Sequence, residues 1–284
     1  MSEKKAPVPV RPAATVIILR ESTVGIEVFM VERRREIEFA SGALVFPGGK
    51  VDAEDADTAW EELAAATLPA PERAFFVAAA RETFEEAGLM LARRQGSEEL
   101  VDAATAERLV EAHRTRLLKG ETTFSEILRR EDLVLAADLL VPFAHWITPE
   151  RVPKRFDTHF FLVAAPVTQL GVHDGAESAE GFWIAPQQAL ADAQAGRRTL
   201  VFATRMNLTR LALYGTVAEV VAVTRSRSVV TVVPKIKRTA EGRWLQIPAE
   251  AGYGVTEVFV EEGSTFGRSA SRLDREADCS RSAT

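Results

Sequence analysis

The sequence predicts a mixed α/β (α+β) fold. Three observations carry it: Val- and Ile-rich runs near the N-terminus, an amphipathic stretch over residues 72–87, and a later alternation of short strands with helices. With 284 residues, 46% of them apolar, the chain has enough hydrophobic surface for a sizeable core and is neither a disordered nor a fibrous composition.

Ala13 to Leu19 and Glu27 to Glu32 are separated by a turn containing Gly25 and read as a strand hairpin. Ala43 to Phe46 reads as a third strand running into Pro47-Gly48-Gly49, a sharp turn, and Asp52 to Trp60 reads as an acidic loop. From Glu72 to Ala87, Phe75, Phe76, Ala79, Ala80, Phe84 and Ala87 recur at three- and four-residue steps. Gly88 then supplies a C-terminal stop, which predicts one amphipathic helix. Leu100 to Leu118 is helical in period, and Thr123 with Glu126 forms a capping box that opens a helix over Phe124 to Arg130. Together they read as a helical insertion over about 98–132.

Val141 to Ile147, Phe156 to Ala165 and Gly181 to Ala185 read as strands, Gln187 to Ala195 and Asn207 to Tyr214 as helices. Val217 to Thr224, Val229 to Val233 and Glu257 to Val260 predict a strand-rich C-terminal extension over about 215–263. Residues 1–11 read as a flexible leader, 12–263 as one domain, and 264–284 as a disordered tail rich in Ser, Arg and Asp.

The formal net charge of −6 argues against a protein that holds a nucleic acid polymer by neutralising phosphates. The only cysteine, Cys279, excludes a disulfide framework or a cysteine-bound zinc site within one chain, and suits a reducing cytoplasm. No run approaches the roughly 20 apolar residues of a membrane helix, and Met1 to Arg11 lacks a signal-peptide core, so a cytoplasmic chain without a membrane partner is expected. The four histidines, His113, His145, His159 and His173, are scattered without metal-ligand spacing and read as surface or core residues. Gly48-Gly49-Lys50 is not a P-loop, because Leu44 and Val51 stand where that motif needs Gly and Ser or Thr.

The chemistry-bearing feature is Arg81, Glu82, Glu85 and Glu86, at steps of one, three and four, with Glu82 beside both Glu85 and Glu86 on one helix face. Three carboxylates so placed repel by a few tenths of a kcal/mol per pair on a solvated helix. A hard divalent cation with oxygen ligands relieves that repulsion, and Arg81 can hold one carboxylate in place. A run of Arg and Glu is commonly just a charged helix face, but here it is longer than an isolated pair and is followed by Gly88.

Arg81-Glu82-Thr83-Phe84-Glu85-Glu86-Ala87-Gly88-Leu89, preceded by Phe46-Pro47-Gly48-Gly49-Lys50, resembles the signature of the Nudix hydrolase family. Thr83 replaces the family's usual aliphatic residue. The acidic residue expected eight positions before the Arg is displaced: Asp55 stands six after Gly49 but 26 before Arg81, an insertion of about 18 residues, so its role falls to Asp52, Glu54 or Asp55. An interrupted box of this kind resembles the branch that includes the peroxisomal coenzyme A diphosphatase. Trp146-Ile147-Thr148-Pro149, Arg155-Phe156-Asp157-Thr158 and Thr204-Arg205-Met206-Asn207-Leu208 are also similar to that branch.

The resemblance implies a Nudix-type α/β/α sandwich with a mixed central sheet, and metal-dependent hydrolysis of a diphosphate joining a nucleoside to another group. Coenzyme A or acyl-CoA is the first expected substrate; ADP-ribose, dinucleotides and nucleotide sugars are the alternatives. A Nudix-fold module that binds a metabolite without cleaving it is the alternative of another class. The implied ligands for Mg2+ or Mn2+ are Glu82, Glu85, Glu86 and the Gly49 carbonyl, with Glu85 or a distal Glu as proton acceptor. Glu177, ahead of Glu180, is the favoured distal residue. Arg33, Arg34, Gly48, Gly49 and Arg155 are expected near the substrate, although Arg155 with Asp157 also reads as a structural ion pair. The expected partner is a small-molecule nucleotide, with a homodimer left open.

Overall fold

The computed structural model describes residues 8–33, 42–68, 70–150, 152, 154–170, 181–240 and 242–260. The tail 264–284 and Arg34, Arg35, His173, Glu177 and Glu180 lie outside them. In chain order the strands are β1 (Val10–Ser22), β2 (Gly25–Glu32), β3 (Ala43–Val45), β4 (Gly48–Lys50), β5 (Ala92–Arg94), β6 (Leu133–Leu135) and β7 (Val141–Ile147). They continue as β8 (Arg155–Ala164), β9 (Gly181–Ile184), β10 (Thr199–Leu200), β11 (Thr231–Val232), β12 (Lys235–Thr239), β13 (Gly242–Gln246) and β14 (Glu257–Val260). The helices are α1 (Trp60–Leu63), α2 (Arg73–Ala87), α3 (Ala103–Leu109), α4 (Thr115–Leu118), α5 (Phe124–Arg130), α6 (Val167–Leu170), α7 (Pro186–Gln194), α8 (Phe202–Leu211) and α9 (Val217–Arg225).

A mixed sheet runs in the order β10-β3-β2-β1-β8-β7-β11, with β4 also paired to β1 and β9 to β2. At its centre β1 lies parallel to β8 and antiparallel to β2 and β4. Val16, Ile17, Ile18 and Leu19 are all fully buried because both faces of β1 are covered. Val16 and Ile18 pack with Val77, Ala80 and Phe84 of α2, while Ile17 and Leu19 pack with Met206, Leu208 and Val220 of α8 and α9. Helices therefore sandwich the sheet, the arrangement that the resemblance implies. Among the described residues, no helix is long and apolar enough to cross a membrane.

Several expectations need correction. Val10 and Arg11 belong to β1, paired with Arg155 and Phe156, rather than to a leader. Residues 217–224 form helix α9, not a strand. Thr216 caps it by accepting from Glu219 N at 3.2 Å, and Val217, Val220 and Thr224 are buried at helical spacing, so a run of β-branched residues is overruled by its burial face. The strand expected over 229–233 shrinks to Thr231–Val232, and the helix expected from Asn207 begins at Phe202. The antiparallel pairs β5 with β6 and β12 with β13 are additional, and the acidic loop carries a 3-10 turn over Ala53–Ala56.

Candidate active site

Helix α2 ends on Gly88 in the left-handed conformation (φ 68°), whose N–H donates to Phe84 O at 3.2 Å. On its inner face Thr83 is fully buried and returns its hydroxyl to Ala79 O at 2.8 Å, so the hydroxyl that replaces an aliphatic side chain carries no unmet hydrogen bond. Arg81 and Glu82, each 7% exposed, point from the same helix toward β4.

Gly48 and Gly49, expected as a turn, instead form strand β4, which pairs with β1 and is pressed against this helix. Gly48 N donates to a Glu86 carboxylate oxygen at 2.8 Å. A Cβ on Gly48 would lie 2.5 Å from Ala14 O, and its φ of 154° also favours glycine. A Cβ on Gly49 would lie 2.3 Å from Glu82 Oε1. Only glycine lets the strand approach the carboxylates this closely.

Arg81 is the hub. Its Nε and Nη2 donate to the two carboxylate oxygens of Asp55 at 3.1 and 2.9 Å, and its Nη1 donates to Glu82 at 3.0 Å and to Glu85 at 3.1 Å. Nη2 also donates to Lys50 O at 2.9 Å, so all five guanidinium N–H groups are used. Of the three acidic residues weighed for this role, Asp55 is buried and makes the bidentate pair. Asp52 stands 3.5 Å from Nη2 with its side chain 65% exposed, and Glu54 is exposed. The segment between Asp55 and Arg81 passes through α1, whose Trp60 and Leu63 are buried in the core, before α2 brings Arg81 to Asp55.

One guanidinium faces more carboxylates than it can neutralise. Burial pushes Glu82 up to about 8 against the pull of Arg81, and the neighbouring Glu85 and Glu86 push it the same way. Burial also raises Glu85 and Asp55 above the ordinary carboxylate range. Burial works against the Arg81 charge, but the hydrogen bonds and charges of Asp55, Glu82 and Glu85 outweigh it and raise Arg81 further. Excess negative charge with oxygen donors only is the setting that suits a hard divalent cation.

The carboxylates open into a cavity of about 540 Å³. Gly48, Gly49, Lys50, Asp52, Arg81, Glu82 and Glu85 line one end, together with Arg33. Phe46, Trp146, Ile147, Phe156, Phe160 and Phe202 line the apolar remainder. The structure thus brings Arg81, Glu82, Glu85, Gly48, Gly49 and Arg33 to one cavity and Glu86 beside it on the Gly48 N–H. Arg155 is not on the cavity wall: it donates to Thr148 O at 3.0 Å and Val8 O at 3.4 Å, both backbone groups. The expected Arg155–Asp157 pair is replaced by a contact of Asp157 with His145. Expectations resting on Arg34 and Glu177 fall outside the described residues.

The apolar wall was missed as a site. Its signal lay in Trp146-Ile147-Thr148-Pro149 and Thr204-Arg205-Met206-Asn207-Leu208, since the first four residues and Thr204 reach the cavity. Tyr253, from the C-terminal extension, accepts from Trp146 Nε1 at 2.9 Å and donates to Asn207 Oδ1 at 2.8 Å, tying the extension to that wall. The histidines are less scattered than their spacing suggests, because the pairing of β7 with β8 sets His145 opposite His159.

A family model described as the NUDT19 Nudix domain matches residues 64–203. Putative nudix hydrolase 7 of Caenorhabditis elegans is 29% identical over 204 residues, covering 71% of this chain and 60% of that protein. The acyl-coenzyme A diphosphatase NUDT19 of Gallus gallus is 28% identical over 212 residues, covering 58% of this chain and 55% of that protein. The chain therefore spans well under two thirds of the length of either relative. The crystal structure of a Nudix hydrolase from Alicyclobacillus acidocaldarius aligns with a TM-score of 0.57 at 25% identity, covering 76% of this chain and 96% of that one.

Proposed function

We propose that this chain, whose residues 64–203 match a Nudix-domain model, hydrolyses a diphosphate linking a nucleoside to another moiety, with coenzyme A or an acyl-CoA as the first substrate class. The observation that carries this reading is the exhausted guanidinium of Arg81. All five of its donors are engaged, yet Glu82, Glu85 and Asp52 still leave an excess of carboxylate on the cavity wall, with Glu86 beside it on the Gly48 N–H.

Glu82, Glu85 and Glu86, with the Gly49 carbonyl, are the residues that would hold Mg2+ or Mn2+, and their all-oxygen donor set fits either ion. When bound, such an ion neutralises the diphosphate and acidifies an attacking water. The protein's own parts divide the remaining work. Lys50 and Arg33 on the cavity wall attract the diphosphate, and Asp55 holds Arg81 so that its Nη1 bridges Glu82 and Glu85. Glu85 lines the cavity and is our candidate to accept the proton of the water whose oxygen bonds to phosphorus; the bridging P–O bond breaks, and the leaving phosphate oxygen takes up a proton. The distal alternative, Glu177, lies outside the described residues. The apolar wall suits the non-phosphate parts of the substrate. A single cysteine suits a reducing cytoplasm as the setting.

The test is a panel of coenzyme A, acyl-CoA, ADP-ribose, dinucleotides and nucleotide sugars, incubated with Mg2+ or Mn2+, with products identified by mass spectrometry. The expected result is release of a nucleotide product, greatest from coenzyme A or acyl-CoA. In Glu85→Gln, turnover is expected to vanish while the melting temperature changes little, because the amide oxygen still accepts from Arg81. Binding by calorimetry without product from any member would instead identify a non-catalytic metabolite-binding module.

A further inference from the structure

A second cluster of ligating side chains lies on the other face of the strands that floor the cavity. Successive side chains of a strand alternate between faces. Trp146, Thr158 and Phe160 line the cavity, so their neighbours His145, Asp157 and His159 project together on the side of α2, where Phe75 stacks on His159 with ring centroids 3.9 Å apart. His145 and His159 are register partners with ring centroids 4.1 Å apart, and both ring Nε2 atoms are directed at Asp157 Oδ1, that of His159 at 3.8 Å. The candidate ligand atoms of the three residues all lie within 4.8 Å of one another.

We propose that His145, Asp157 and His159 form a binding site for a zinc-class transition-metal ion, separate from the carboxylate site and independent of the hydrolytic reading. Two imidazoles and one carboxylate are the donor set that zinc takes with three protein ligands and an open fourth position. This set differs in kind from the all-oxygen cluster on α2, which suits magnesium or manganese. Tetrahedral zinc places its ligand atoms about 3.3 Å apart, which small rotations of these side chains reach.

An outer partner is already in place, since His145 Nδ1 lies 2.8 Å from Thr231 Oγ1 on β11. Once Nε2 binds the metal, the Nδ1–H donates to that hydroxyl and fixes the ring. The three ligands join β7 to β8 behind Trp146 and Thr158. A bound ion would therefore clamp the strand pair that forms the cavity floor.

The experiment uses the full chain without a histidine tag, stripped with a chelator and then dialysed against ZnCl2 in excess Mg2+, which occupies an all-oxygen site. The expected result is about one zinc per chain by elemental analysis. Two of the four histidine imidazole NMR signals should shift on zinc titration. His145→Gln with His159→Gln should retain less than a tenth of the zinc, whereas Glu82→Gln with Glu85→Gln should retain all of it. Where the double histidine variant does not fold, the near-isosteric Asp157→Asn is used and should weaken zinc binding more than about tenfold. Unmoved imidazole signals in the unsubstituted chain, or full zinc retention in a folded His145 and His159 variant, would overturn the proposal.

Discussion

The carboxylate of Asp55 grips the guanidinium of Arg81 through two hydrogen bonds of 3.1 and 2.9 Å, across 26 residues of sequence. Both side chains are buried, at 3% and 8% exposure, so removing Asp55 leaves two buried guanidinium N–H donors without acceptors, while Glu82 and Glu85 still balance the charge. Asp55→Ala is expected to cost about 3 kcal/mol in urea denaturation, and to lower turnover by freeing Arg81 from its orientation. Asp52→Ala and Glu54→Ala, at exposed positions, are expected to cost less than about 1 kcal/mol. Equal losses from all three would refute the assignment of Asp55 as the partner of Arg81.

The two glycines of β4 should separate stability from activity. A methyl group at Gly49 meets the end of the Glu82 side chain, which can swing aside, so Gly49→Ala is expected to fold with a near-normal melting temperature but to lose most of its turnover. At Gly48 the methyl group meets backbone atoms of Ala14 and Thr15 at a positive φ, and Gly48→Ala is expected to destabilise by about 1–3 kcal/mol. Thermal melts beside steady-state rates distinguish the two, and a fully active Gly49→Ala would argue against a role for Glu82.

Metal binding should release protons. With Glu82 pushed up to about 8 by burial, the metal-free side chain holds a proton near neutral pH that a cation must displace. Affinity for Mg2+ is therefore expected to rise as pH increases toward about 8, with roughly one proton released near pH 7. Calorimetry in buffers of different ionisation enthalpy measures this directly. Because the folded value lies above the ordinary 4.5, the contribution of Glu82 to metal-free stability is present below about pH 4.5 and is lost as pH rises through about 8. Saturating Mg2+ should reverse that loss, and pH-independent Mg2+ binding would contradict it.

Tyr253 should act on the cavity from outside it. Tyr253→Phe leaves the buried Trp146 Nε1 without its acceptor and Asn207 Oδ1 without that donor, for an expected cost of about 1–3 kcal/mol. Trp146 lines the apolar wall rather than the carboxylate end, so KM is expected to rise more than kcat falls. The reverse split would place Trp146 in the chemistry instead of in substrate binding.

Much of this architecture was legible in sequence wherever the determining interactions are local. The apolar steps of Phe76, Ala80 and Phe84 with the Gly88 stop predict helix α2 to within a residue of its observed Arg73–Ala87 span, and the Thr123–Glu126 box predicts Phe124–Arg130. Residues 217–224 misled because Val-rich runs suit a strand, whereas contacts with β1, β7 and β8 from distant parts of the chain select the helical burial face.

By itself, the sequence determined that Arg81, Glu82, Glu85 and Glu86 share a helix face and that a strand precedes two glycines, because spacing along a chain dictates position within a helix; that those glycines extend as β4 was decided by pairing with β1. Only the tertiary structure decided which acid holds Arg81, which segments wall the cavity, and that His145 meets His159. Those choices depend on strand pairing and on the contact that brings Asp55 to Arg81 across the insertion. The packing of β4 against α2 contributes the burial that pushes Glu82 up, so the charge balance of the site is a property of the folded chain and not of its spacing.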